Sequence, residues 1–403
     1  MKVDRSKLST HAFEHLLKLF TEAKWFYNYC LSQEDVNDSD TKARVVPVKT
    51  PDGLEDRNLS VLTAQMRQAI KTRLFTSMSS LKALKQNGHK IGRLKFKSRV
   101  DSVPLKQYDK TYFLDRQSSR VKLQGLKPWI RVRGLNQIPE DAEIANAVLV
   151  RKPSGFYLHI TTYQDKQDNH TTDSSIGIDF GCQTQLTFSD GTKAEFQVSP
   201  SRRLRRLDRR IMRKDRPDSK KKRQDQVKRR KEYECLNNRR KDIRNKVVSA
   251  ITSNFRYVCF QDESIHAWHA GGHGKKVQHS GIGGIIADLK HKSRTPCEVD
   301  KFFPSTQLCP ECGQLNNLSQ SDRTYHCDCG FVADRDWKSA LCIEREGLKN
   351  VIPKGNAEMV CFANHRVPTD HRDFKAREKT SSTLFDSLKS IHGVKVSKMA
   401  SVN

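Results

Sequence analysis

Two close cysteine pairs limit this chain's fold more tightly than any other feature. They are Cys309 and Cys312 in "CPECG", then Cys327 and Cys329 in "CDCG". Four thiolates meeting at one tetrahedral ion satisfy Zn²⁺ and leave no open position for substrate, so the pattern predicts a closed, structural site. Four unmetallated core thiols are the weaker reading, and His326 is a substitute ligand second to either adjacent cysteine. The second pair is C-x-C, tighter than the usual C-x-x-C, and the glycine after each pair lets the backbone turn its amides toward sulfur. The chain has eleven cysteines, an odd number, and the other seven are scattered. That excludes a disulfide framework and points to a reducing compartment.

Nine residues downstream of Cys327 lies the acid Asp336, in "DRDWKSA", with Asp334 two residues before it. Both precede a helix expected from Trp337. Asp179 ends the apolar segment "SIGIDFG", where Gly181 permits close approach of a bound group, and Asp262 and Glu263 end a second one, "YVCFQDE". A carboxylate at the end of an apolar strand is costly unless a cation pairs with it. Three such acids converging would hold two Mg²⁺, which activate a water and stabilise the leaving oxygen in phosphodiester cleavage. Each acid has a bland reading alone: Asp179 as a turn residue, Asp334 or Asp336 as a helix cap, Asp262 and Glu263 as loop acids. Their combination is more specific than any member.

The formal net charge of +28 asks for a polyanionic partner, and nucleic acid fits best, because each neutralised phosphate releases counterions. The charge is concentrated: residues 201–245 carry 21 Lys/Arg against 7 Asp/Glu. This stretch reads as a long basic helical hairpin over 201–250, broken near Pro217. Arg202, Arg203, Arg206, Arg210, Lys221, Arg229, Arg230, Arg239 and Arg240 are its candidate phosphate contacts, against the plainer reading of a solvated helical face. No run is apolar enough to cross a membrane and the N-terminus lacks a signal-type apolar stretch, which predicts a soluble, intracellular protein with no membrane partner.

Helical spacing covers Thr10–Gln33 and the segment from Ser60 to Gly88, with a polar stretch between them that reads as a loop. Trp25, Phe26 and Tyr27 read as core more readily than as base-stacking residues. Short alternating runs from about residue 91 to Tyr163 predict a small β-barrel or sheet. "IGIDFGCQTQLTFSDGTKAEFQVS" predicts three strands with a turn at Asp190-Gly191, and "RYVCFQDE" another strand. His266, His269, His273 and His279 fall in a Gly-rich stretch that reads as a mobile lid rather than a second metal site. The tail after Gly347 has weak periodicity and is expected to be loosely ordered.

With these residues in place, the chain resembles the TnpB family, transposon-encoded RNA-guided nucleases ancestral to the type V CRISPR effectors. "WFYNYCL" and "GRLKFKS" resemble its N-terminal signatures. "GIDFG" matches its first RuvC segment, "NNRRKDIRNKVV" is similar to the helix before the second, and "PSTQLCPECG", "CDCGF" and "DRDWKSA" resemble the zinc module and third segment. The resemblance implies a multidomain α+β fold: a β-barrel wedge domain (1–9 and 92–170) with an inserted helical recognition domain (10–91), and an RNase H-like RuvC α/β nuclease domain (171–303 and 331–350). A zinc ribbon is inserted at 304–330, and a partly disordered tail occupies 351–403.

It further implies Mg²⁺ on Asp179, a glutamate after the central strand, and Asp336. The family form at the central strand is Glu-Asp-Leu where this chain has Gln261-Asp262-Glu263; Glu263 is the choice and Asp262 the fallback. Lys338 stands where the family has Asn, within reach of a scissile phosphate. The implied function is RNA-guided, Mg²⁺-dependent cleavage of double-stranded DNA beside a short target-adjacent motif, using a guide RNA from the transposon end. The implied particle is a monomeric ribonucleoprotein in the prokaryotic cytoplasm or nucleoid. A small type V CRISPR effector and a nuclease-dead, RNA-guided repressor are the alternatives.

Overall fold

The computed structural model describes residues 1–165, 174–214, 216, 219–269, 274–319, 321–349, 351 and 383–398. The chain divides into two units, Met1–Lys166 and Gln167–Asn403.

In the first unit, β1 (Lys2–Val3) leads into α1 (Thr10–Ser32), whose Ser9 cap accepts from the Ala12 amide. Leu16, Leu19, Phe20, Ala23 and Phe26 recur at helical spacing and are buried. Glu22 is buried on the same helix. Its carboxylate accepts from the Ser60, Val61 and Leu62 amides at 2.9, 2.9 and 2.8 Å and from Ser60 Oγ at 3.0 Å. That supplies the acceptors at the entry to α2 (Ala64–Gln86), where Thr63 makes no side-chain cap bond. The stretch between the helices, expected as a loop, contains a hairpin of β2 (Val45–Thr50) and β3 (Gly53–Asn58). Val46 and Val48 turn inward from it, an alternation too short to stand out among polar neighbours.

The rest of this unit is an antiparallel sheet of β4 (Ser102–Leu105), β5 (Tyr112–Asp115), β6 (Arg120–Leu123), β7 (Ile130–Arg133), β8 (Glu143–Lys152) and β9 (Gly155–Tyr163). The strand order is β4-β8-β9-β1-β7-β6-β5, so β1 lies inside it. Phe156 of β9 meets Phe13 and Phe20 of α1 at centroid distances of 5.8 and 5.7 Å. Phe26 is fully buried, in keeping with a core role.

The second unit is built on six strands: β10 (Ser175–Phe180), β11 (Leu186–Phe188), β12 (Thr192–Glu195), β13 (Tyr257–Gln261), β14 (Thr295–Val299) and, from the C-terminal stretch, β17 (Lys395–Lys398). Their order is β14-β13-β10-β11-β12-β17. β10, β13 and β14 run parallel, while β11 and β12 fold back antiparallel. Between β12 and β13 come α3 (Arg202–Met212) and α4 (Lys220–Asn254), the expected basic hairpin. Between β13 and β14 come α5 (Ile265–Trp268), α6 (Gly274–Ser280) and α7 (Ile282–Lys292). The His/Gly-rich stretch expected as a loop is therefore largely helical, with Ser264 capping α5; His273 lies outside the described residues. A two-stranded ribbon, β15 (Thr324–His326) and β16 (Val332–Asp334), precedes α8 (Arg335–Lys349).

Of the tail expected to be loosely ordered, residues 352–382 and 399–403 lie outside the described residues. Residues 383–389 are helical, β17 pairs with β12, and Leu384, Leu388 and Ile391 enter the core.

Strand alternation sorts the two faces of this sheet. Ile176, Ile178, Phe180, Val258 and Phe260 pack with residues of α4 and α7. Cys259 and Cys297 face Ile343 and Leu348 of α8. Gly177 and Asp179 share register parity and lie toward α8. At Gly177 the approach is extreme: a Cβ there would meet Ala340 O at 2.1 Å and Glu344 Cβ at 2.7 Å. Ser175 Oγ donates to Glu344 at 2.6 Å and the Trp337 indole to Ser189 O at 2.9 Å, so α8 is pinned along β10. Gly177→Val should cost about 1–3 kcal/mol or more, because backbone blocks the new side chain; a urea midpoint equal to that of the unaltered protein contradicts this packing.

Candidate active site and metal centre

Three elements deliver the acids. Asp179 is the penultimate residue of β10, Glu263 follows the end of β13, and Asp336 lies in the first turn of α8. Burial pushes the Asp179 carboxyl well above the usual carboxylate range, and the charges of Asp336 and then Glu263 push it further. Burial, with Asp262 adding to it, lifts Glu263 to about 7. The three sequence-predicted acids are thus electrostatic neighbours. Like charges gathered in a poorly solvated site are what a bound cation relieves, and carboxylate oxygens suit a hard ion, but among the described residues only the four cysteines bring ligand atoms within 4.8 Å of one another.

The acids that compete with these three in the sequence take other roles. Asp334 caps α8, accepting from the Trp337 amide at 3.0 Å, and its other oxygen takes the Lys193 ammonium at 2.7 Å. Asp336 is left to Arg335, whose Nε and Nη2 both donate to Oδ1 at 3.1 Å. Asp262 is exposed and pairs with Lys290 at 3.0 Å, which also holds Glu298 at 2.6 Å. Gln261 is buried and clamps the following loop: its amide donates to the carbonyls of Asp300, Lys301 and Phe303, and its oxygen accepts from Ser305. Gly181 uses its freedom in its own turn, since a Cβ there would meet Thr184 O at 2.4 Å.

The cysteines assemble as their spacing predicts. All four sulfurs lie within 4.8 Å of one another; Cys309 to Cys329 is 3.7 Å and Cys312 to Cys327 is 3.5 Å. A tetrahedral thiolate site with bonds of about 2.3 Å has edges of about 3.8 Å, so the cluster could hold one metal ion. Gly313 and Gly330, one after each pair, adopt φ of +76° and +93°, the left-handed turns that close both knuckles. A hydrogen bond from the Cys329 backbone pulls the Cys327 thiol down to about 6. His326 stays outside the group.

Lys338 is fully buried, close enough to Asp179 for the two charges to act on each other. Its Nζ donates to Ser305 O, Thr306 O and Leu308 O at 2.9, 2.6 and 3.1 Å and sits 4.1 Å from the Tyr325 ring centroid. Burial draws it down to about 8. Arg323 carried no signal in the sequence. It lies between the cysteine pairs, donates to Gln183 at 2.9 Å and comes within 3.9 Å of Asp336.

The basic hairpin is held by its own apolar and ionic contacts. Leu204, Leu207 and Ile211 of α3 are buried. Asp225 on α4, also buried, binds Arg210 at 3.1 Å and Lys214 at 2.8 Å. Of the nine candidate phosphate contacts, Arg202, Arg206, Lys221, Arg230 and Arg239 are exposed; Arg203 is exposed beside Glu232. Arg229 is half-buried against Asp208, and Arg240 donates to Val198 O at 3.2 and 3.0 Å, so that residue braces the hairpin.

Comparison with known proteins places these features. Residues 158–259 match a family profile described as "Probable transposase" (OrfB_IS605), and residues 287–343 match "Cas12f1-like, TNB domain". A protein of Streptomyces pristinaespiralis is 23% identical over 263 residues, and InsQ of Escherichia coli (strain K12) 25% over 283 residues. Both are named, provisionally, as RNA-guided DNA endonucleases. Each alignment covers 63% of this chain, and the two cover 65% and 67% of those relatives, about two thirds of their length. A solved Cas12f1–sgRNA–target DNA complex overlaps 70% of this chain and 71% of that one, at 13% identity and a TM-score of 0.39.

In metal-free protein the Glu263 carboxyl binds its proton more tightly when folded than the ordinary value of 4.5. Its contribution to stability is present below pH 4.5 and is lost as pH rises through about 7. Unfolding in magnesium-free buffer should show that loss, and Glu263→Gln should flatten it; equal pH profiles for the two proteins contradict the burial of this acid.

Proposed function

Since the chain belongs to the TnpB family, we propose that it is an RNA-guided DNA endonuclease with a single RuvC-type active site. What supports the proposal is that Asp179, Glu263 and Asp336, on three separate elements of one sheet unit, lie close enough for the charges of Asp336 and Glu263 to act on Asp179. The strand order supports an RNase H-like reading: a meander of β10, β11 and β12 is extended by parallel β13 and β14, and acids stand at the ends of β10 and β13.

Asp179, Glu263 and Asp336 would hold two Mg²⁺. Bound there, magnesium supplies an activated water and charge stabilisation at the leaving oxygen. The chain's own residues place the ligands. Asp334 and Lys193 fix the start of α8 and so the direction of Asp336. Lys290 holds Asp262 away, which favours Glu263 as the acid after the central strand. Arg335, bonded to Asp336 without metal, is placed to hold that carboxylate until a cation takes it.

Residues 304–330 form, on this reading, a zinc ribbon whose Cys309, Cys312, Cys327 and Cys329 hold structural Zn²⁺. Residues 1–9 and 92–170 are a wedge domain with a recognition insertion at 10–91. Residues 171–303 and 331–350 are the nuclease domain, to which 395–398 add an edge strand. Exposed arginines of α3 and α4 contact the phosphates of a guide RNA or its duplex with target DNA. Base pairing reads sequence, and the protein reads shape and a short target-adjacent motif. The particle is a monomeric ribonucleoprotein of the prokaryotic cytoplasm or nucleoid; among the described residues no helix is long and apolar enough to cross a membrane.

Two experiments test this. Protein purified with its bound RNA should carry a defined sequence and cut matched double-stranded DNA with Mg²⁺ but not in its absence. Asp336→Ala should abolish cutting and leave DNA binding intact. Absence of a defined RNA sinks the guided reading, and undiminished cutting by the variant sinks the site. Cys309→Ser should instead lose bound zinc and melt at lower temperature; a zinc-free variant with an unchanged melting point contradicts a structural role.

A further inference from the structure

Lys338 is an unusual side chain to bury. It is fully enclosed, and among the described residues no carboxylate lies within ion-pair distance of its ammonium, the charge of Asp179 reaching it only from farther off. A charge removed from water needs replacement solvation, or the burial is strongly unfavourable. Here the hydrogen-bond acceptors all come from the segment that opens the cysteine module. Three carbonyls, those of Ser305, Thr306 and Leu308, converge on Nζ at 2.6–3.1 Å, and the Tyr325 ring faces it at 4.1 Å. An ammonium with three donors meets three acceptors and one π-face, so its capacity is filled.

The partners are as telling as the count. Leu308 is bonded in sequence to Cys309, and Tyr325 packs in one small cluster with Cys309 and Cys327. The Tyr325 hydroxyl accepts from Asn316 at 2.9 Å and donates to Gln307 O at 3.2 Å, tying both knuckles to the same ring. Cys342, one turn beyond Lys338, donates to the same Leu308 carbonyl at 3.5 Å, and Arg345 donates to Pro310 O. α8 therefore holds the module by its backbone along one face, while the residue two positions before Lys338 is Asp336. A zinc ion in four thiolates carries two net negative charges, and Lys338 is the buried cation nearest in sequence to the helix start that faces it.

We infer that Lys338 is a positioning residue: as counter-cation and backbone clamp of the cysteine module, it joins that module and the Asp336-bearing end of α8 into one body. Occupancy of the cysteine site then sets the placement of an acid that does not touch it. The inference rests on the zinc and acid-site readings above, and it gives this lysine no contact with a scissile phosphate, because all three of its donors are engaged inside the protein.

The test avoids cleavage, so it stands apart from the endonuclease proposal. Mn²⁺ affinity of the acid site is measured by electron paramagnetic resonance in zinc-loaded protein, zinc-stripped protein and zinc-loaded Lys338→Met. Stripping zinc should weaken Mn²⁺ binding by about 10- to 100-fold, the range for loss of an outer-shell support. Lys338→Met should show the same loss while retaining its zinc. Full zinc with Mn²⁺ affinity equal to the unaltered protein overturns the inference, as does a purified protein with no zinc at all. Lys338→Gln, which keeps two donors but no charge, serves if the methionine variant does not fold. Independently of any variant, zinc removal should raise hydrogen exchange at residues 305–308 and 337–341 together. Protection of 337–341 that survives zinc removal also overturns it.

Discussion

Ala340 on α8 lies so near the backbone of Gly177 on β10 that there is no room for a methyl group. Everything chemical follows from that approach. It brings the start of α8 beside the end of β10, so Asp336 feels Asp179. It also places Trp337 over Ser189 and leaves Lys338 facing the cysteine module.

The site is a balance of like charges restrained by nearby cations. Lys193 binds Asp334, Lys290 binds Asp262 and Glu298, and Arg335 and Arg323 both approach Asp336. Asp179 has burial and two acidic neighbours against it, which is why its proton is held so firmly. The strongly basic character of the chain does little to relieve this locally. Half of the net charge lies on α3 and α4, which carry 19 Lys/Arg against 5 Asp/Glu, mostly exposed to water, and charge in water is screened within about 8–10 Å.

Much of this was legible in the residues. Cysteine spacing identified the four-cysteine cluster, because ligand geometry is local and short-range. Acids ending apolar runs pointed to Asp179 and to the Asp262–Glu263 pair as candidates, because such an acid is rarely incidental, while Asp336 was chosen on the family resemblance. The choice between Asp334 and Asp336 was not legible: capping depends on where the helix begins, and a start at Arg335 rather than Trp337 gave the cap to Asp334. Strand alternation did not resolve Asp262 from Glu263, because β13 ends at Gln261 and neither acid is in regular strand. Lys338 looked like a phosphate contact because its partners are carbonyls, and backbone acceptors leave no trace in side-chain identity. The hairpin at 45–58 and strand β17 were missed for the opposite reason, since both are short, polar and stabilised by pairing with distant residues.

β17 closes the sheet at the edge opposite β14, pairing with β12 two hundred residues after that strand is made. During synthesis β12 therefore stands as an open edge while the basic hairpin, the parallel strands and the cysteine module all emerge. Open edges of this kind invite pairing with other chains. Contacts of such long sequence separation also form late, because loop closure must precede their reward. The sheet of the second unit is thus finished only after the hairpin, the parallel strands and the cysteine module have been made, and a chain that stalls before Lys395 carries its acids and cysteines on an unsealed scaffold.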